Sequence, residues 1–189
     1  MGSRTGVWRA LRLMALMTLL VITTPAFAWD DARVQAGLDF FPSFLAADTR
    51  LKDKTDADNH LTLAILHQGN LEQAQQLAQR LKKVGTIRRL PLRIVLTDDP
   101  RLTQFQDRPP AGVFIAAPRP DDLDVALRWG RRAQRIVFSP FLGDVERGAL
   151  GGVAVRETVL PLVNQQALDD WDIVLKPFFL RIAERYDER

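Results

Sequence analysis

Residues 61–97 read LTLAILHQGNLEQAQQLAQRLKKVGTIRRLPLRIVLT. Leu61–Leu66 is a short apolar run of the kind that forms a buried strand. Asn70 follows as a helix cap, with Gln73 at the third helical position, close to a capping box. Leu71, Ala74, Leu77, Ala78, Leu81 and Val84 then recur at helical spacing, and Gly85 ends the helix. Leu92–Thr97 is a second apolar run. A strand, a helix and a strand in this order imply a right-handed crossover and a parallel sheet buried on both faces.

The rhythm continues towards the C-terminus. Asp98-Asp99-Pro100 turns the chain, and a short helix precedes Arg108-Pro109-Pro110. Gly112–Ala117 (GVFIAA) is a third strand. Pro118 and Pro120 mark a loop, and Asp121 or Asp122 caps a helix that buries Leu123, Ala126 and Leu127. Arg135–Ser139 (RIVFS) is a fourth strand. A short helix is expected near Asp144–Ala149, before Gly151-Gly152. Val153–Arg156 and Thr158–Val163 follow as two adjacent antiparallel strands. Asn164 caps a short helix, and a last helix starts at Pro177 with Phe178, Phe179, Ile182, Ala183 and Tyr186 on its apolar face. The predicted fold is a single α/β domain whose mostly parallel or mixed sheet of about six strands is flanked by helices.

Upstream, Asp31–Asp48 reads as a helix burying Val34, Leu38, Phe41, Phe44 and Leu45, with Pro42 expected to kink or stop it. Leu51–Asn59 is a charged surface loop. The first 28 residues have the layout of a Sec-type export signal. Arg4, Arg9 and Arg12 precede the apolar stretch Leu13–Ile22, Pro25 breaks it, and Ala26-Phe27-Ala28 offers small residues for cleavage after Ala28. The apolar run is shorter than the ~20 residues of a membrane span, so no integral span is expected after processing. No Arg-Arg pair precedes that run, and the absence of cysteine excludes a lipoprotein. Residues 29–189 then form the exported domain, and periplasmic localisation follows.

Charge and composition exclude several functions. The chain carries 26 Lys and Arg against 23 Asp and Glu, a net +3. All three basic residues of 1–28 leave with the signal and no acid does, so the remaining 161 residues are neutral overall. That removes the electrostatic case for nucleic-acid binding. With no cysteine, thiol catalysis and thiolate metal sites are also excluded.

No residue pattern points to catalysis, a cofactor or a metal. His60 and His67 flank the first strand, and their odd separation of seven puts them on opposite faces. Gly143–Gly148 (GDVERG) resembles the ends of a phosphate-binding loop, but Ala149-Leu150 replaces the Lys-Ser/Thr that must follow. Ser139 ends a strand, where a hydrolytic nucleophile would sit, without the glycines of a nucleophile elbow or a placed histidine. Asp98/Asp99, Asp121/Asp122 and Asp169/Asp170 fit turns and caps. Trp129 and Trp171 lie in polar surroundings (LRWGRR, LDDWDI) and, with Arg131 and Arg132, are the candidate partner-binding residues.

From Gln134 to Ala183 the chain reads QRIVFSPFLGDVERGALGGVAVRETVLPLVNQQALDDWDIVLKPFFLRIA. This resembles the C-terminal half of the YfiR-like family of bacterial periplasmic proteins. The resemblance rests on Ile136–Ser139, Phe141, Gly151-Gly152, Val153–Val155, Val163-Asn164 and the Leu-rich end Leu175–Ala183, which includes Leu180. The earlier half is similar in layout. Here Phe41-Pro42 stands for the family's Trp-Pro, and Val153-Ala154 for Met-Ile after Gly-Gly. Some members carry disulfides, which this chain cannot form. The resemblance implies a non-enzymatic regulator that binds the periplasmic part of an inner-membrane sensor or diguanylate cyclase, and leaves a homodimer open. The alternative, from the α/β pattern itself, is a single-lobed solute-binding component of a transporter, with a ligand in a strand-end crevice.

Overall fold

A computed structural model describes residues 26–67, 69–117 and 119–187. The described residues begin with helix α1 (Ala26–Ala47), in whose first turn the expected cleavage point falls; residues 1–25 of the expected export signal lie outside the described residues. Strands β1 (Leu61–Leu66), β2 (Thr86–Ile87), β3 (Leu90–Thr97), β4 (Gly112–Ile115), β5 (Ile136–Phe138), β6 (Gly151–Val155), β7 (Val159–Asn164) and β8 (Glu184–Tyr186) form one sheet in the order β2-β3-β1-β4-β5-β6-β7-β8. β3, β1, β4, β5 and β6 run parallel, as does β8 beside β7, whereas β2/β3 and β6/β7 are antiparallel.

The sheet is thus mixed and has eight strands, two more than the sequence predicts. All six predicted strands are present. The additions are the two edges: β2, two residues beside β3, and β8, where the expected last helix stops early. Helix α5 (Pro177–Ile182) spans only six residues, and Glu184–Tyr186 leaves it to pair with Leu162–Asn164. Phe178 and Ile182, expected in the core, are therefore 53% and 57% exposed.

One face of the sheet is built from aromatic rings. The register pairs Phe114 with Phe138, and their rings stack at 5.8 Å. Phe41 of α1 tilts onto both at 5.6 and 5.8 Å. Phe44 meets Phe138 and Phe179 edge-on at 5.7 and 5.1 Å, geometries that the ring quadrupole favours. α1 passes through Pro42 without stopping, because Phe41, Phe44 and Leu45 around it are fully buried and hold the helix against the sheet. Helix α2 (Leu71–Val84) lies beside α1, with Arg80 bonded to Asp39 at 3.0 Å. Asn70 caps it by accepting from the Gln73 N–H, and its amide donates to the Gln73 side chain. Leu71 and Val84, at the ends of the predicted stripe, are half exposed, while Ala74, Leu77, Ala78 and Leu81 are buried.

The opposite face is covered by α3 (Pro120–Ala133) and α4 (Gln165–Asp170). Arg119, not Asp121 or Asp122, occupies the α3 cap position; the helix begins at Pro120, so both acids fall in the first turn, where the helix dipole favours them. Asn164 caps α4 by accepting from the Ala167 N–H at 2.8 Å and donates to the Val145 carbonyl. Asp144–Ala149 forms successive turns and not the expected helix. Within them the Asp144 side chain is engaged by Ser139, and Ala149 N–H closes onto the Asp144 carbonyl.

Candidate functional site

The two tryptophans read as exposed anchors are core residues: Trp129 is 6% and Trp171 5% exposed. They are not available to a partner. A Cβ on Gly130 would come within 2.8 Å of the Trp171 ring and 2.5 Å of Val137; the bare backbone of α3 lets the indole approach it closely. Arg131 and Arg132 are exposed, and Arg131 lies 3.7 Å from Asp170. The residues on which the family resemblance rests take structural places. Phe141 is buried at 7%, Asn164 caps and ties two loops, and Leu180 packs against the core. Gly151 and Gly152 carry close approaches to Phe44 and to the Ser139 carbonyl.

Ser139 is completely buried and donates its hydroxyl to Asp144. Burial raises the Asp144 carboxyl above its ordinary value, with the Ser139 hydroxyl opposing. This pair locks the turn after β5, and the complete burial of Ser139 leaves its hydroxyl no room for a substrate.

His67 is buried just after β1, and His60 is partly exposed just before it. Sequence reading missed that His60 lies with Asp56 and Asp58, their ligand atoms within 4.8 Å of one another. The signal was there, an alternation of Asp, Asp and His at positions 56, 58 and 60. Arg93 binds both carboxylates, at 2.6 and 3.2 Å, so a guanidinium already supplies the positive charge that a metal would bring. The Asp56 carboxyl lies below its ordinary range chiefly because the His60 backbone N–H donates to it.

Two further places have a shape suited to contact. At the C-terminal edge, Val155 and Val159 are cross-strand partners that both face solvent, and Phe178 and Ile182 stand one turn apart on α5. Arg156 grips Glu184 with two bonds, at 2.6 and 3.2 Å, tying β8 to the end of β6. At the other end of the molecule, Lys54 and Asp48 form a buried ion pair at 2.5 Å beside Arg135. Burial lowers the Lys54 ammonium's affinity for its proton, and Asp48 opposes the effect. No helix among the described residues is long and apolar enough to cross a membrane.

No family model matches the chain, and no curated protein does. Its fold is similar to that of the ABC domain in complex with L-Trp from Streptococcus pneumonia, with a TM-score of 0.50 and 10% identity over 75% of this chain and 61% of that one. It is also similar to a conserved domain protein from Vibrio cholerae, with a TM-score of 0.50 and 15% identity over 71% of this chain and 57% of that one. The chain thus spans less than two thirds of either protein, and at these identities the likeness concerns the α/β fold alone.

Proposed function

We propose that this chain is an exported periplasmic regulatory protein that modulates an inner-membrane sensor or diguanylate cyclase through protein–protein contact. The observation that carries the reading is two apolar rows left in solvent in the C-terminal segment, Val155/Val159 across β6 and β7 and Phe178/Ile182 on α5. Isolated exposed apolar residues are ordinary, but clustered ones mark interaction surfaces. These rows lie in the segment that resembles the YfiR-like family, and the signal-like first 28 residues give the address at which such a partner is met. The tryptophans are replaced as contact residues by Phe178 and Ile182, with Arg131 and Arg132 as exposed cations elsewhere.

The test is crosslinking and capture from an envelope fraction, with the unmodified chain against Phe178→Ser/Ile182→Ser. An inner-membrane sensor or cyclase should be recovered with the former and lost with the latter, at unchanged thermal stability. Recovery of no membrane sensor would overturn the reading. The alternative, a single-lobed solute-binding protein, draws support from the fold's likeness to a domain that binds L-Trp. It is favoured if a small ligand gives a large, saturable thermal shift while capture fails.

A further inference from the structure

The parallel strands β1, β4 and β5 begin at one end of the sheet, and a cavity of about 400 Å³ opens there. Its floor is the sheet face presented by Thr62, Arg93 and Val95, which the β1/β3 register places side by side. Its roof is the segment Gln104–Pro109. The volume is within the range of small-molecule sites, yet the site lies at the opposite end from the strand-end crevice usual for α/β sheets. A smaller cavity of about 180 Å³ lies alongside and shares Lys54 and Arg135 with it.

Charge decides what such a cavity accepts. Four cations (Lys54, Arg93, Arg108, Arg135) and two carboxylates (Asp56, Asp107) line the larger cavity. Arg93 is engaged by Asp56 and Asp58, and Lys54 by Asp48 from outside the lining. Neither Arg108 nor Arg135 makes an ion-pair contact with a carboxylate among the described residues. Arg135 is the more telling. Its guanidinium donates to the carbonyls of Ala133 and Gln134 at 2.9 and 3.2 Å, which fixes it in place, while its Nε is buried with no hydrogen-bond partner. Burial works against its charge, with the Asp48 carboxylate nearby supporting it and Arg50 opposing it. An arginine stays protonated even so, and a half-buried cation with an unpartnered donor is stabilised by an incoming anion.

Apolar side chains line the same space beside these charges: Val95, Phe105 and Pro109. We propose that this cavity is a binding site for a small organic anion, its carboxylate or phosphate group held by Lys54, Arg108 and Arg135 and its apolar body packed on Val95, Phe105 and Pro109. The site is separate from the exposed apolar edge, so it stands or falls independently of the protein partner.

The experiment titrates the chain with benzoate, phenyl phosphate, inorganic phosphate and neutral benzamide, following backbone amide shifts by NMR. Benzoate or phenyl phosphate should move the amides of Thr62, Phe105 and Arg135 saturably, with Kd of about 1 mM or tighter. The tighter of the two identifies the head group as carboxylate or phosphate. Benzamide should bind at least tenfold more weakly, and inorganic phosphate more weakly than phenyl phosphate. Arg135→Gln should weaken binding at least tenfold. Arg108→Gln, on the exposed rim, should weaken it severalfold without lowering the thermal midpoint, which keeps the test decisive if Arg135→Gln fails to fold. Arg132→Gln should change nothing. Absence of saturable shifts with both aryl anions, equal binding of benzamide, or binding unaffected by Arg108→Gln would each overturn the proposal.

Discussion

Gly151→Ala tests the packing between α1 and the sheet. A Cβ at this position would lie 2.6 and 2.7 Å from Cε2 and Cζ of Phe44 and 2.8 Å from Cδ2 of Phe138. Ordinary carbon contacts are ~3.5–4.0 Å, so two fully buried rings must shift by close to an ångström. Overpacking of this kind costs about 1–3 kcal/mol. Phe44→Leu alone loses part of the ring's contacts and its two edge-on partners, at about 2 kcal/mol. The two changes relieve each other: the smaller side chain vacates the space the methyl needs, with only the Phe138 contact remaining. The double variant should therefore be about 1–2 kcal/mol more stable than the sum of the single effects predicts. Gly152→Ala is the control. Its Cβ would meet Val145 Cγ2 at 2.5 Å and the backbone oxygen of Ser139 at 2.8 Å. Val145→Ala removes the first obstacle and not the second, so most of the penalty stays. Urea unfolding followed by circular dichroism gives each value from the midpoint, provided the slope is constant. If Gly151→Ala and Phe44→Leu add to within about 0.5 kcal/mol, the close approach does not carry the energetics assigned to it.

Two further outcomes are expected. Asp48→Asn strands the buried Lys54 ammonium and Lys54→Met strands the Asp48 carboxylate. Each should cost about 3–5 kcal/mol, and the double change less than either, read as thermal midpoints; equal or greater loss in the double would refute the pairing. Asp144→Asn keeps an oxygen to accept the Ser139 hydroxyl and removes a carboxylate whose folded-state pKa is raised. Because the folded state holds that proton more tightly, wild-type stability from this group falls as pH rises from 3.8 through the folded pKa. The variant should gain on the wild type over that window and then hold a constant lead. Urea midpoints measured from acid to neutral pH that stay parallel would exclude it.

The parallel half of the fold was legible because its signals are local and redundant. Leu61–Leu66, the Asn70 cap and the Gly85 stop each predict the same βαβ unit, and all three are in place. The edges were not. Thr86-Ile87 is too short to show an alternation, and Glu184–Tyr186 continues an apolar helical pattern that pairing with β7 overrides. Trp129 sits among charged neighbours, and only its distance of three from Ala126 hints that it borders the buried stripe of α3. The anion cavity had no signature at all. Lys54, Arg108 and Arg135 belong to three separate connections, and only the parallel order of β1, β4 and β5 brings those connections to one end of the sheet.

The same topology bears on how a partner would be held at the other edge. Among the described residues β8 has no neighbouring strand on its outer side, and an open edge can recruit a strand from another chain. Three features work against that mode here. The strand has only three residues, it carries Glu184 and Arg185, and the two-bonded Arg156–Glu184 pair fixes its first residue inward to β6. Short, charged edges are how proteins discourage strand addition. Contact at this edge is then left to side chains, and apolar ones in solvent there include Leu142, Val155, Val159, Phe178 and Ile182. A partner that docks on them buries a patch formed by a hairpin end and a helix face, and needs no extended segment of its own. Under the proposed function, Phe178→Ser/Ile182→Ser abolishes capture, whereas Arg185→Pro, which removes a backbone N–H from β8, costs stability and leaves the contact surface standing.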